Sequence, residues 1–121
     1  MSTTSTEFDL GRFCSAVEGR DVDGQIEFYA PAATVTIVDR ITGPGSPRIL
    51  RGRDEIKSWV EDVAGRDMTH SVKHSVKDDR GAAFYEACRY PDGTNVICAT
   101  VLELDGGSIV SQTVVQAWDE S

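Results

Sequence analysis

Four short runs of alternating apolar and polar residues, with turn signals between them, fill the chain from residue 67 to 118. No other feature limits the fold so strongly. The runs lie at 68–76, 82–90, 94–104 and 108–118. Between them stand Asp78-Asp79-Arg80-Gly81, Pro91-Asp92-Gly93 and Asp105-Gly106-Gly107. Period-two alternation marks strands, and Gly-rich turns of this kind join them as hairpins. The second half of the chain is therefore expected to form an antiparallel meander.

Helices precede it. Phe8, Leu10, Phe13, Cys14 and Val17 share one helical stripe, which Gly19 ends. Asp21 reads as an N-cap of a second short helix carrying Val22, Ile26, Phe28 and Tyr29, stopped at Ala30-Pro31. Residues 34–38 are β-branched and read as a strand. The segment 41–51 holds Gly43, Pro44, Gly45, Ser46 and Pro47, so a loop is expected there, placed to act as a mobile lid over any pocket. Gly52-Arg53-Asp54-Glu55 opens a third helix with Ile56, Trp59, Val60 and Val63 on its apolar side, closed by Gly65. Helices followed by a meander mean an α+β fold. The expected form is a cone-shaped, curved antiparallel β-sheet wrapped around three N-terminal helices, an α+β barrel. One domain over 7–119 follows, with 1–6 as a polar, Ser/Thr-rich tail.

The charge of −8 argues against nucleic acid or an anionic membrane as partner, since phosphate binding needs clustered Lys and Arg. No apolar run is long enough to span a bilayer, and the N-terminus lacks the regions of a signal peptide. Cys14, Cys88 and Cys98 are an odd, sparse set, as expected of reduced thiols in a cytoplasmic protein. Cys88 and Cys98 fall in apolar strands and read as packing residues.

The titratable residues on strand faces point to function. In 68–76 the face Thr69, Ser71, Lys73, Ser75 and Lys77 is polar, so His70, Val72, His74 and Val76 are expected to turn inward. Histidine titrates near neutrality and suits acid–base work. In 94–104, Val96, Cys98, Thr100 and Leu102 face in; in 108–118, Gln112, Val114, Gln116 and Trp118 do. Inward glutamines fit a pocket that orients a polar ligand. Asp39 follows Val35 and Ile37 on one face; at an apolar pocket mouth its pKa would rise and it would shuttle protons, while its alternative role is to cap the Gly/Pro loop. Trp59 reads as core or as a stacking platform. Strand 82–90 allows either register: one turns Tyr85, Ala87 and Arg89 inward, the other buries Phe84 and Cys88. Two histidines and a distant Asp have no ligand spacing, so no metal site is expected. On the outer face Ile97, Ala99, Val101, Val110 and Val115 are apolar, and a homodimer through the sheet is expected.

Three runs, EGRDVDGQIEFYAPAATVTIVD at 18–39, LRGRDEIKSWV at 50–60 and YPDGTNVICATVLELDGGSIVSQTVVQAWD at 90–119, resemble the nuclear transport factor 2-like superfamily. Within it, the branch of SnoaL-like polyketide cyclases and ketosteroid isomerases is the most similar. The resemblance extends over about residues 7–119, and it is specific for fold and weak for function. It implies a catalytic carboxylate near the end of the first strand, where Asp39 stands two residues beyond an ungapped match. It implies a histidine at the start of the next long strand, where His70 stands, and it favours the register with Tyr85 and Arg89 inward. It places Phe13 and Thr100 where ketosteroid isomerases carry oxyanion-hole donors. Phenylalanine has no donor and threonine is a weak one, so steroid isomerisation is disfavoured. Glu18 falls near the helix carboxylate of scytalone dehydratases, and Asp39 with Arg89 supplies only part of the Asp-Arg-Asp set of limonene-epoxide hydrolases.

The expected activity is that of an isomerase, cyclase or dehydratase (lyase) working without cofactor on a hydrophobic small molecule. Asp39, His70 and His74 would move protons. Phe13, Val17, Trp59, Tyr85, Arg89, Thr100, Gln112, Gln116 and Trp118 would hold the substrate. The alternative is a ligand-binding or dimerisation module of the same fold.

Overall fold

The computed structural model describes residues 7–119; the expected tail at 1–6 lies outside them. Helices α1 (Leu10–Glu18) and α2 (Val22–Ile26) come first, then strands β1 (Tyr29–Val38) and β2 (Arg48–Arg51). Helix α3 (Gly52–Ala64) leads into β3 (Thr69–Lys77), β4 (Gly81–Arg89), β5 (Asn95–Asp105) and β6 (Ser108–Trp118). The strands make one curved, unclosed sheet in the order β2-β1-β6-β5-β4-β3. All neighbours are antiparallel except β1 and β6, which run parallel. The α+β class and the meander agree with the sequence. The loop expected over 41–51 ends early, because Arg48–Arg51 adds an edge strand to β1. The second helix is shorter than expected: Tyr29 already belongs to β1, and its side chain turns into the core.

Local chemistry sets the ends of the elements. Asp9 caps α1 by accepting from the Arg12 N–H, and Asp21 caps α2 by accepting from Gly24. Between β5 and β6, Gly106 and Gly107 have φ of 59° and 83°, the pair of positive values a tight type I′ hairpin needs. No helix among the described residues is long and apolar enough to cross a membrane.

The core lies between the helices and the concave face of the sheet. Phe13 of α1 is its hub, with the rings of Phe8, Phe28, Tyr29 and Phe84 at 5.4–6.2 Å between centroids, most of them edge-on. Helix α3 adds Ile56 and Val60, and β5 adds Val96, Thr100, Leu102 and Leu104, all buried.

The register of β4 differs from the family-based expectation. His70 pairs with Cys88, Glu86 with Cys98, and Phe84 with Thr100. Phe84 and Cys88 are buried, whereas Tyr85 pairs with the exposed Ala99 on the outer face and Arg89 is exposed. The large apolar Phe84 decides the matter: turning it outward would expose the ring that packs on Phe13. Phe84→Ala is expected to destabilise the protein by about 3–5 kcal/mol. Tyr85→Ala, on the outer face, is expected to cost under about 1 kcal/mol. Urea unfolding of the two variants checks this.

Candidate functional site

Pairing across the sheet brings three titratable side chains to one point. His70 on β3 stands opposite Cys88 on β4, and Glu86 is two residues before Cys88 on the same face. His70 Nδ1 lies 3.2 Å from Glu86 Oε1 and 3.2 Å from Cys88 Sγ. Cys88 Sγ is 3.8 Å from the same Glu86 oxygen. The side chains of His70 and Glu86 are only 4% and 14% exposed. Hydrogen bonding to Cys88 and Glu86 outweighs burial and raises the His70 pKa to about 9. The Cys88 thiol is pushed far above its ordinary value by its contact with Cys98 and by burial, so it is no thiolate nucleophile near neutral pH. Cys14 also rises, to about 11, through burial and then the charges of Glu18 and Glu86.

These groups border a cavity of about 70 Å³ whose apolar wall includes Phe13, Val17, Val60, Met68, Phe84 and Val96. That is room for a few water molecules. Its polar wall comes from β1 and β6. The Tyr29 hydroxyl donates to Gln112 Oε1, and Trp118 Nε1 donates to Gln116 Oε1 at 3.0 Å. Both glutamine oxygens are thus engaged within the wall. Burial pushes the Tyr29 pKa up, the charge of Glu86 adds to this, and the Gln112 bond opposes it.

A wider outer cleft of about 560 Å³ continues from this cavity, and Trp59, Val63, Arg66, Tyr90, Gln116 and Trp118 line both. At the junction Tyr90 stacks on Trp118 at 5.8 Å, and the Arg40 guanidinium lies 4.3 Å from the Trp118 ring. Arg66 is held there by Tyr90 and Asp62.

Of the residues singled out from sequence, His70, Phe13, Val17, Trp59, Thr100, Gln112, Gln116 and Trp118 line the inner cavity. Asp39 does not; it lines the outer cleft. Its Oδ1 accepts from the Ile41 and Thr42 N–H groups at 2.8 Å and from the Thr42 hydroxyl at 3.0 Å. Burial would raise its pKa, but these hydrogen bonds and Arg48 bring it below the ordinary value. Asp39 therefore caps the loop, the alternative role, and the expected rise in pKa is overturned. His74 is exposed: a register shift follows Lys73, His74 has φ 45°, and its ring lies tilted against Tyr85 outside the cone. Tyr85 and Arg89 are likewise absent from the cavity wall. Glu18 accepts from the Val72 N–H at 2.8 Å and does not line the cavity.

The residues that sequence reasoning missed are Glu86, Cys88, Tyr90 and Tyr29. The apolar positions Phe84 and Cys88 carried the signal, because the register that buries them also carries Glu86 and Tyr90 inward. The expectation of no metal-ligand grouping was drawn from the histidines and Asp39. The fold instead gathers His70, Glu86 and Cys88, with their ligand atoms all within 4.8 Å of one another.

A family model for the SnoaL-like domain matches residues 10–112. No curated protein matches the chain. Among solved structures, a nuclear transport factor 2-like protein of unknown function from Mesorhizobium loti superposes with a TM-score of 0.78 at 14% identity, covering 89% of this chain and 87% of that one. A candidate ketosteroid isomerase from Kribbella flavida gives 0.74 at 16% identity, covering 92% and 75%. SalBIII, an epoxide hydrolase/cyclase-like enzyme in pyran ring formation in the polyether salinomycin, gives 0.68 at 20% identity, covering 89% and 87%. At these identities the likeness is one of fold.

The raised His70 pKa has a thermodynamic consequence. The pairing stabilises the folded state fully below the ordinary histidine value of 6.5, and this is lost as pH rises through about 9. Chemical denaturation of the wild type and His70→Gln across this range is expected to show a stability gap that narrows from pH 6.5 upward and closes above 9.

Proposed function

The chain belongs to the SnoaL-like domain family, and from that premise we propose that it is a small-molecule enzyme of the isomerase, cyclase or lyase type. Its proton-transfer pair is His70 and Glu86. The observation that carries this reading is their contact at 3.2 Å in the wall of an otherwise largely apolar cavity.

The chemistry follows from which atoms remain free. Nδ1 of His70 and Oε1 of Glu86 engage each other; neither His70 Nε2 nor Glu86 Oε2 has a hydrogen-bond partner among the described residues. No fully buried side-chain nitrogen or oxygen among the described residues lacks a partner, so both free atoms keep some access to solvent, and both residues line the cavity. Near neutral pH, His70 carries its proton and is an acid. A substrate with a carbonyl next to a C–H bond would lose that proton to Glu86 while His70 Nε2–H donates to the carbonyl oxygen, giving an enol. Returning the proton to a different carbon is isomerisation; expelling a leaving group instead is dehydration. The amide N–H groups of Gln112 and Gln116 would orient the substrate, and the apolar walls would keep bulk water away from the pair.

One observation favours a second reading, a ligand-binding module. The inner cavity is small, and a ring-sized substrate needs space drawn from the outer cleft between Trp59, Tyr90 and Trp118. Deuterium incorporation into a panel of enolisable cyclic ketones, followed by NMR in chelator-treated protein, separates the two. Wild type is expected to accelerate exchange. Glu86→Gln and His70→Asn should each lose on the order of 10²-fold or more, while Asp39→Asn stays within a few-fold. Binding without exchange, or exchange indifferent to both pair variants, would leave the binding module in its place.

We also propose that the outer sheet face pairs with a second copy of the chain. Ile97, Val101 and Val115 there are 42%, 56% and 47% exposed, and cross-strand pairing sets Ala99 beside Val115 and Tyr85. Light scattering at micromolar concentration should give the mass of a dimer, and Val101→Glu should shift it to that of a monomer.

A further inference from the structure

We propose that His70, Glu86 and Cys88 form a mononuclear binding site for a divalent ion of the zinc class, with one coordination position open to the cavity. This use goes beyond proton transfer, because a metal on Nδ1 takes the place of the proton shared with Glu86. The apo form is then the form able to pass protons, and the metal-bound form is silenced.

The geometry carries the proposal. Zinc bonds of about 2.0–2.3 Å to nitrogen, oxygen and sulfur in a tetrahedron set the ligand atoms roughly 3.3–3.6 Å apart. The three atoms here form a triangle with sides of 3.2, 3.2 and 3.8 Å. Each side is within a few tenths of an ångström of that spacing. The donor set is one imidazole, one thiolate and one carboxylate, which suits zinc and cobalt better than calcium or magnesium. All three stand on two paired strands, so the sheet rather than a loop fixes their spacing. Three protein ligands with a fourth position facing a cavity is the pattern of sites that take a water or a small ligand. On binding, the Cys88 thiol proton and the Nδ1 proton leave to solvent, and the metal occupies the space between the three atoms.

The test is titration of chelator-treated, full-length protein with Co²⁺. The expected result is the visible spectrum of tetrahedral cobalt together with a thiolate-to-cobalt charge-transfer band, saturating at one ion per chain and abolished by excess Zn²⁺. Cys88→Ser should lose the charge-transfer band. Cys14→Ser, a buried thiol outside the cavity wall, should keep it. Should Cys88→Ser fail to fold by circular dichroism, Glu86→Gln and His70→Gln supply the same check, each weakening Co²⁺ binding on the order of 10-fold or more. Absence of a thiolate band in the wild type overturns the proposal, as does a band that survives in folded Cys88→Ser or binding unchanged in the other two. Such a failure leaves the acid–base reading untouched, since that is measured in metal-free protein.

Discussion

The inside of this cone depends on how β4 sits between β3 and β5. A strand has only two faces, and a shift of one residue exchanges them. In the observed register Phe84 closes the aromatic cluster on Phe13, and every second residue after it follows inward. Glu86 is thereby carried to His70, Cys88 to Val96, and Tyr90 to the stack on Trp118. The hydrophobic demand of one ring thus brings a carboxylate into a wall that would not otherwise accept it. Packing and chemistry share a single registration here, and no substitution can slip that strand without dismantling both.

A carboxylate in such a place has to be compensated. Desolvation penalises the charged form of His70, and a lone buried charge would be costly. Hydrogen bonds from Nδ1 to Cys88 and then to Glu86 outweigh that penalty, which is why the imidazole holds its proton well past neutrality. Cys88 adds a third polarisable group to the same atom. The other polar side chains of the wall are arranged differently. Tyr29 donates to Gln112 and Trp118 to Gln116, so these neutral groups satisfy one another within the wall. The cavity therefore has an ionic side on β3 and β4 and a neutral hydrogen-bonding side on β1 and β6.

Much of this was legible beforehand. Alternation with hairpin turns located the strands of the meander, and parity alone turned Thr100, Gln112, Gln116 and Trp118 inward. His70 was found by the same argument. His74 escaped it, because a bulge after Lys73 adds a residue and throws the rest of the strand out of phase, and nothing in Lys73-His74-Ser75 announces a bulge. For Asp39, parity says where a side chain starts and not what holds its oxygens; two N–H groups of the following loop bond Oδ1, the capping role that the sequence also allowed. For β4 the residue pattern permitted both registers, and a family match too distant to align individual residues favoured the wrong one. The short strand Arg48–Arg51 lay behind Pro and Gly, with too few residues to show a period.

Parallel pairing of β1 with β6 has a consequence for how the chain reaches this state. The two strands meet in the middle of the sheet although the meander separates them in sequence, and the Tyr29–Gln112 bond alone closes a separation of 83 residues. Such a contact carries a large loop-closure entropy before it returns anything, whereas the β3–β4 and β4–β5 hairpins close over a few residues. The ionic side of the cavity can thus assemble from local pairing, while the neutral side must wait for the two distant parts of the chain to find each other. During synthesis β1 emerges long before its central partner, so its apolar edge depends on the rest of the chain arriving in time.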